Sequence, residues 1–298
     1  MMRGMYAAIS GLEVHQTMLD VTANNLANVD TIGYKAQRTT FVDQLSQELR
    51  GASGANSLNG GTNPSQVGLG VLLGSIDNLM SSGSMQSTGN VLDVAVQGEG
   101  FYRVGNGNPS AAALTSNLPA TMEYTRAGDL TINVNGFVTT QAGLYVVGRN
   151  AVASGTAPNI TYAPGSSDSY LYVPPGSTGV AVGQDGSLTY VDQNASSATF
   201  QQRVTAGYIS LATFPNQAGL DRSGGSLWSA NASSGGETVG TPGSAGFGTT
   251  ISGELEMSNV DLATEFTNMI TAERGYQANS RVITTADQML QTVVQMKE

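Results

Sequence analysis

Apolar residues recur every seven positions at both ends of this 298-residue chain. Near the start, Met5, Leu12, Leu19 and Leu26 stand seven apart, and Met2, Ile9, Gln16 and Ala23 precede them by three. Together they form a stripe of about four heptads, the seam pattern of a coiled coil. Asn28, Asp30 and Gly33 then read as a helix end and turn. Near the other end Leu262, Met269, Tyr276, Ile283 and Leu290 stand seven apart, each followed three residues later by Glu265, Ala272, Asn279, Ala286 or Val293. Asp261 is placed to cap this second helix, which is expected to run from Leu262 nearly to the end, roughly 35 residues. Gly275 is its weak point. So long a helix needs an equally long partner, and the N-terminal helix is the one within reach. An antiparallel pair would form a rod from the two termini, with Ala23, Ala272 and Ala286 permitting close approach and Gln16 and Asn279 fixing register. The alternative is two ordinary amphipathic helices lying on a sheet.

Between the ends the chain changes character. Residues 51–89 are rich in Gly, Ser and Asn around a short apolar piece, Val67–Ile76, and read as a linker or extended arm. From Val91 the pattern is that of strands, with Asn135-Gly136 and Asp185-Gly186 as hairpin tips at which both residues are expected to adopt φ > 0. The expected fold is mainly β with long N- and C-terminal helices that pair as a coiled-coil-like tube element. Its expected divisions are the N-terminal helix over 1–35, an arm over 36–90, a first part of a β core over 91–150, a small outer β domain over 151–200, the core's return over 201–255, and the C-terminal helix over 256–298.

The chain carries a formal charge of −10, with ten Arg and two Lys. It has no basic stripe to neutralise phosphate, which argues against a nucleic-acid partner. No stretch reaches the roughly 20 apolar residues of a membrane span, and Met1–Gln16 lacks the unbroken apolar core of a secretory signal. The absence of cysteine removes disulfides, thiolate catalysis and Cys-ligated metals. His15 is the single histidine, beside the first seam; it has no G-x-S-x-G elbow to serve and cannot alone make a His-rich metal site. Asp93, Glu99, Asp185 and Asp192 are not brought together by any pattern, and Gly98-Glu99-Gly100 lacks the third glycine of a dinucleotide fingerprint. The sequence therefore predicts no catalytic, cofactor or metal site, and leaves assembly as the task.

A run at the N-terminus, Ala23-Asn24-Asn25-Leu26-Ala27-Asn28-Val29-Asp30-Thr31 followed by Gly33-Tyr34-Lys35, resembles the ANNLANVNTxGFK signature of bacterial flagellar rod and hook proteins, with Asp30 and Tyr34 as mild departures. Near the C-terminus, Glu256-Met257-Ser258-Asn259-Val260-Asp261-Leu262, Ala272-Glu273-Arg274-Gly275-Tyr276-Gln277-Ala278-Asn279-Ser280, and Thr284, Thr285, Asp287, Met289 and Leu290 are similar to that family's closing motifs. LDVAVQGEGFYRV at 92–104 and YTRAGDL at 124–130 resemble its core strands.

The resemblance implies a subunit passed unfolded through the flagellar type III export apparatus and added to a helical homopolymer, its terminal helices lining the inner tube and its β domains outside. It marks Asn24, Asn25, Asn28, Gly33 and Lys35 as motif residues, and Met5, Ile9, Leu12, Leu19, Leu26, Leu262, Met269, Tyr276, Ile283 and Leu290 as seam contacts. Within the family the segments at 61–64, 66–70 and 86–90 look like the hook form. That reading implies an extracellular, flexible joint transmitting torque, exported without a cleaved signal peptide, with distal rod, hook–filament junction and hook cap proteins as neighbours. A distal rod subunit, a stiff drive shaft, shares every motif and is the alternative. A secreted β-rich binding protein is the reading from a different class.

Overall fold

The structure, a computed structural model, describes residues 2–54, 60–111, 114–154, 160–194 and 199–296. Residues 55–59 of the expected arm, and 155–159 and 195–198 of the expected outer domain, lie outside these.

Both terminal helices form. Helix α1 spans Met2–Ala27 and α2 spans Leu262–Gln295. Asp261 caps α2 as expected: its Oδ1 accepts from the Ala263 N–H at 3.0 Å, and its Oδ2 from the Thr264 hydroxyl at 2.7 Å. Gly275 does not interrupt α2.

The chain divides into two units. The first joins Met1–Asn28, Ala36–Leu79 and Val260–Glu298; the second joins Val29–Lys35 and Met80–Asn259. In the first, α1 and α2 lie side by side and the arm is an antiparallel ribbon. Gln37–Asp43 pairs with Val71–Asn78 through a register shift at Thr40/Phe41, and Ser46–Arg50 pairs with Ser65–Gly68. Thr, Val, Phe and Ile along Gln37–Asp43 and Val71–Asn78 suit a pleated surface, which is why much of the expected linker is strand. Its last part belongs elsewhere: Met85–Ser87 pairs with Glu254–Glu256 in the second unit.

In the second unit one antiparallel path runs through Thr178–Val182, Ser187–Val191, Arg203–Ile209, Tyr145–Ser154, Phe101–Gly105, Glu123–Thr125, Leu227–Ser229 and Asp221–Gly224. Tyr145–Ser154 is long enough to pair with Thr161–Tyr170 as well as with Arg203–Ile209 and Phe101–Gly105. Phe101–Gly105 is buried along its whole length. Strand alternation sends Tyr102 and Val104 into a cluster with Val94, Val146, Leu171, Leu188 and Ile209, and Phe101 into another with Tyr124, Phe214 and Trp228.

The hairpin tips differ from the expected two-residue turns. Gly136 has φ +88°, but Asn135 is not left-handed. The Gly136 N–H donates to the Asn133 oxygen, and Asn133 Oδ1 accepts from the Asn135 and Phe137 amides. This is a three-residue loop closed by a left-handed glycine; the backbone bond recurs in the second tip, where the Gly186 N–H donates to the Gly183 carbonyl, and there Asp185 Oδ1 accepts from the Ser187 amide.

Candidate functional site

The helix pair is antiparallel and meets through small residues. A Cβ added at Gly275 would fall 2.5 Å from the His15 ring, and one at Gly11 would fall 2.5 Å from Asn279 Nδ2. Asn25 Nδ2 donates to Glu265 Oε1 at 3.2 Å, so each step forward on α1 is matched by a step back on α2. The buried residues are Ala8, Gly11, Val14, Thr22 and Asn25 on α1, and Ala272 and Ala286 on α2. The expected seam residues lie beside these. Met5, Leu12, Leu19 and Leu26 are half-buried on the flank of the contact, while Ile9 stands exposed. On α2, Met269, Ile283 and Leu290 are half-buried; Leu262 and Tyr276 are exposed. The physical reason is distance. Small residues let backbones approach closely, so they take the centre of the contact and push the larger side chains to its edges.

Asn25, 1% exposed, joins three elements of this unit. Its Nδ2 donates to the Gln37 carbonyl at 2.8 Å, and its Oδ1 accepts from the Gln37 N–H at 2.9 Å. The side chain thus pairs with the first residue of the ribbon as a neighbouring strand would, while also reaching Glu265. Burial raises the Glu265 pKa, and its hydrogen bonds to Asn25 and Asn268 oppose the rise. Asn28 closes α1: its Nδ2 donates to the Asn24 carbonyl at 2.9 Å and to Asn24 Oδ1 at 2.8 Å.

The remaining motif residues lie in the second unit. Gly33, at φ +66°, donates its N–H to the Glu256 carbonyl at 2.8 Å. A Cβ there would stand 2.6 Å from the Ala127 nitrogen, so both conformation and space call for glycine. Lys35 is wholly buried. Its Nζ lies 2.6 Å from Glu256 Oε1 and 2.9 Å from the Ser81 carbonyl. Glu256, also wholly buried, takes Arg126 Nη1 at 3.2 Å on its other oxygen and the Gly83 N–H at 3.0 Å on Oε1. Arg126 goes on to the Gly98 carbonyl at 2.8 Å. Two cations therefore share one carboxylate in the interior. Burial pulls the Lys35 pKa down, and Glu256 opposes it. Arg222 lies 4.7 Å over the Tyr34 ring and 4.9 Å over the Trp228 ring, and donates to the Lys35 carbonyl.

Glu256, Arg126 and Arg222 were not singled out by sequence reasoning. A lysine in a turn gives no hint of burial, and once it is buried any of the 22 acidic residues could be its partner. The one usable signal was that Glu256 and Arg126 stand inside stretches already matched to family motifs.

The surface divides unevenly. Among the described residues, the exposed large apolar side chains of the second unit are Val91, Val134, Val152 and Phe200; all the others belong to the first. Tyr6 is 63% exposed, Leu45 81% and Ile270 57%. Among the described residues no three His, Asp or Glu are grouped to hold a metal ion, and no helix is long and apolar enough to cross a membrane.

Three family descriptions match separate stretches. Residues 5–35 match "Flagella basal body rod protein", 95–190 match "Flagellar hook protein FlgE/F/G D1 domain", and 251–296 match "Flagellar basal body rod FlgEFG protein C-terminal". The chain is 39% identical over 298 residues to the flagellar basal-body rod protein FlgG of Bacillus subtilis, covering all of both chains. It is 35% identical to FlgG of Caulobacter vibrioides, covering 99% of this chain and 100% of that one. It is also 29% identical to the flagellar hook protein FlgE of Borreliella burgdorferi over an alignment of 446 residues, covering all of both chains. With paired terminal helices, a β core joined to the GYK motif by a buried lysine, and full-length relatives at this identity, the chain belongs to the flagellar rod and hook family of structural axial proteins.

Proposed function

We propose that this chain is a subunit of the flagellar basal-body rod, polymerising with copies of itself. The observation that carries the reading is the uneven surface: the helical unit exposes many large apolar side chains on α1, α2 and the ribbon, whereas among the described residues the β unit exposes only Val91, Val134, Val152 and Phe200. Apolar exposure concentrated in one unit is what an interaction site leaves on a lone subunit, and in a helical polymer it is covered by neighbouring copies. The rod replaces the hook as the preferred position. The full-length relatives named FlgG match without net insertion and at higher identity, while the alignment to the hook protein needs 446 positions. The looped arm that resembled the hook form is therefore compatible with a rod subunit. Neighbouring axial proteins and the type III export apparatus remain the proposed partners.

The test is to express the epitope-tagged chain in its own host, purify hook–basal bodies and locate the tag by immunogold electron microscopy. Label on the straight shaft within the basal body supports the rod. Label along the curved segment outside the cell would restore the hook.

A further inference from the structure

Gly11 on α1 and Gly275 on α2 each face a bulky polar side chain of the opposite helix. Glycine weakens a helix interior, so each needs a reason. At Gly275 the reason is the His15 ring, whose atoms occupy the space where a Cβ would project, at 2.5–2.9 Å. At Gly11 it is the Asn279 amide, at 2.5–3.2 Å. Among the described residues His15 Nδ1 is buried without a hydrogen-bond partner, and the ring meets Phe41 edge-on at 6.2 Å between centroids. The ring is therefore held by shape.

We infer that His15 and Asn279 are steric keys, each seated in a glycine notch of the other helix, that fix one axial register for α1 against α2. A heptad stripe alone cannot do so, because it repeats after seven residues. A slip of one heptad would set His15 opposite Asn268 or Val282, and Asn279 opposite Gly4 or Met18. The native register alone gives both keys a glycine. The inference does not depend on the position of the chain in the flagellum.

The chain has no cysteine, so introduced pairs report the register cleanly. In purified full-length protein, Met18→Cys with Ala272→Cys places thiols opposite each other by the same antiparallel stepping, and mild oxidation should join them. Adding Gly275→Ala tests the key by sign. Helix propensity alone favours alanine, so it should leave crosslinking as fast or faster. A seated His15 ring predicts that it slows by about tenfold, the scale of overpacking a tight contact. His15→Ala in the same chain should restore the parent rate, and Gly11→Ala should likewise be rescued by Asn279→Ala. A Gly275→Ala chain that crosslinks at the parent rate overturns the inference. So does a double variant that stays slow, or a parent pair that fails to crosslink.

Discussion

Removing the charge on Glu256 should cost far more than removing the charge on Lys35, although the two form one ion pair. Glu256 serves two buried cations, at 2.6 Å and 3.2 Å, and also accepts from the Gly83 amide. In Glu256→Gln both cations remain in the interior opposite a neutral amide. Breaking a buried pair by deleting one partner costs about 3–5 kcal/mol, and the second stranded cation puts this variant at the upper end. In Lys35→Met the carboxylate keeps Arg126 and Gly83, and the cluster becomes neutral. The Ser81 carbonyl still accepts from Asn259 at 3.0 Å. The loss is then closer to that of hydrogen bonds to a charged group, about 1.5–3 kcal/mol. Urea unfolding of the full chain followed by Trp228 checks the order, since it is the only tryptophan, lies in the same unit and is 2% exposed. With a slope of about 3 kcal/mol per molar, the midpoint should fall by more than about 1 M for Glu256→Gln and by less for Lys35→Met. The pH dependence carries the same logic. A lysine whose folded pKa lies below its ordinary value of 10.5 binds fewer protons folded than unfolded in the interval between, so stability rises with pH there. Glu256→Gln removes the group that opposes the depression. Its interval therefore opens at lower pH, and its stability should gain more than the parent's as pH rises towards the ordinary lysine value. Equal losses in the two variants, or a larger loss for Lys35→Met, would refute the two-cations-on-one-carboxylate account.

Three further outcomes follow from single sites. Gly136→Ala must hold φ near +88° and place its Cβ 2.3 Å from the Val173 carbonyl, whereas Gly143→Ala, at φ +81°, meets nothing within 4 Å. Thermal unfolding should show a loss of about 1–3 kcal/mol from backbone strain in both, and a clearly larger one at Gly136. Hydrogen bonds from Thr264 and the Ala263 amide hold the Asp261 carboxyl below its ordinary pKa. Its capping contribution is therefore complete above the unfolded value and lost as pH falls through the folded one; faster amide exchange at Ala263 in acid, absent from Asp261→Ala, would display it. Ile283→Asp puts a charge on the half-buried face of α2 and should stop assembly, with tubes of normal length in electron micrographs as the contrary result.

The sequence by itself determined the elements whose signal is local or periodic. Two seven-residue repeats gave two terminal helices, Asp261 gave the start of α2, and strand alternation with glycine-bearing tips gave a β middle. The motif around Asn25 and Lys35 marked where to look. Tertiary structure decided what those residues touch. Within the chain the closest helix contact lies on Gly11, Thr22, Ala272 and Ala286, with the leucine series beside it, because helix contact is set by the shape of two surfaces together. Gly275, a weak point by propensity, became a notch once His15 was set across from it. Lys35 acquired its partner 221 residues away, and Tyr145–Ser154 takes its hydrogen-bonded neighbours from distant parts of the chain. Propensity and periodicity are properties of a segment; burial, pairing and close approach arise only when segments meet.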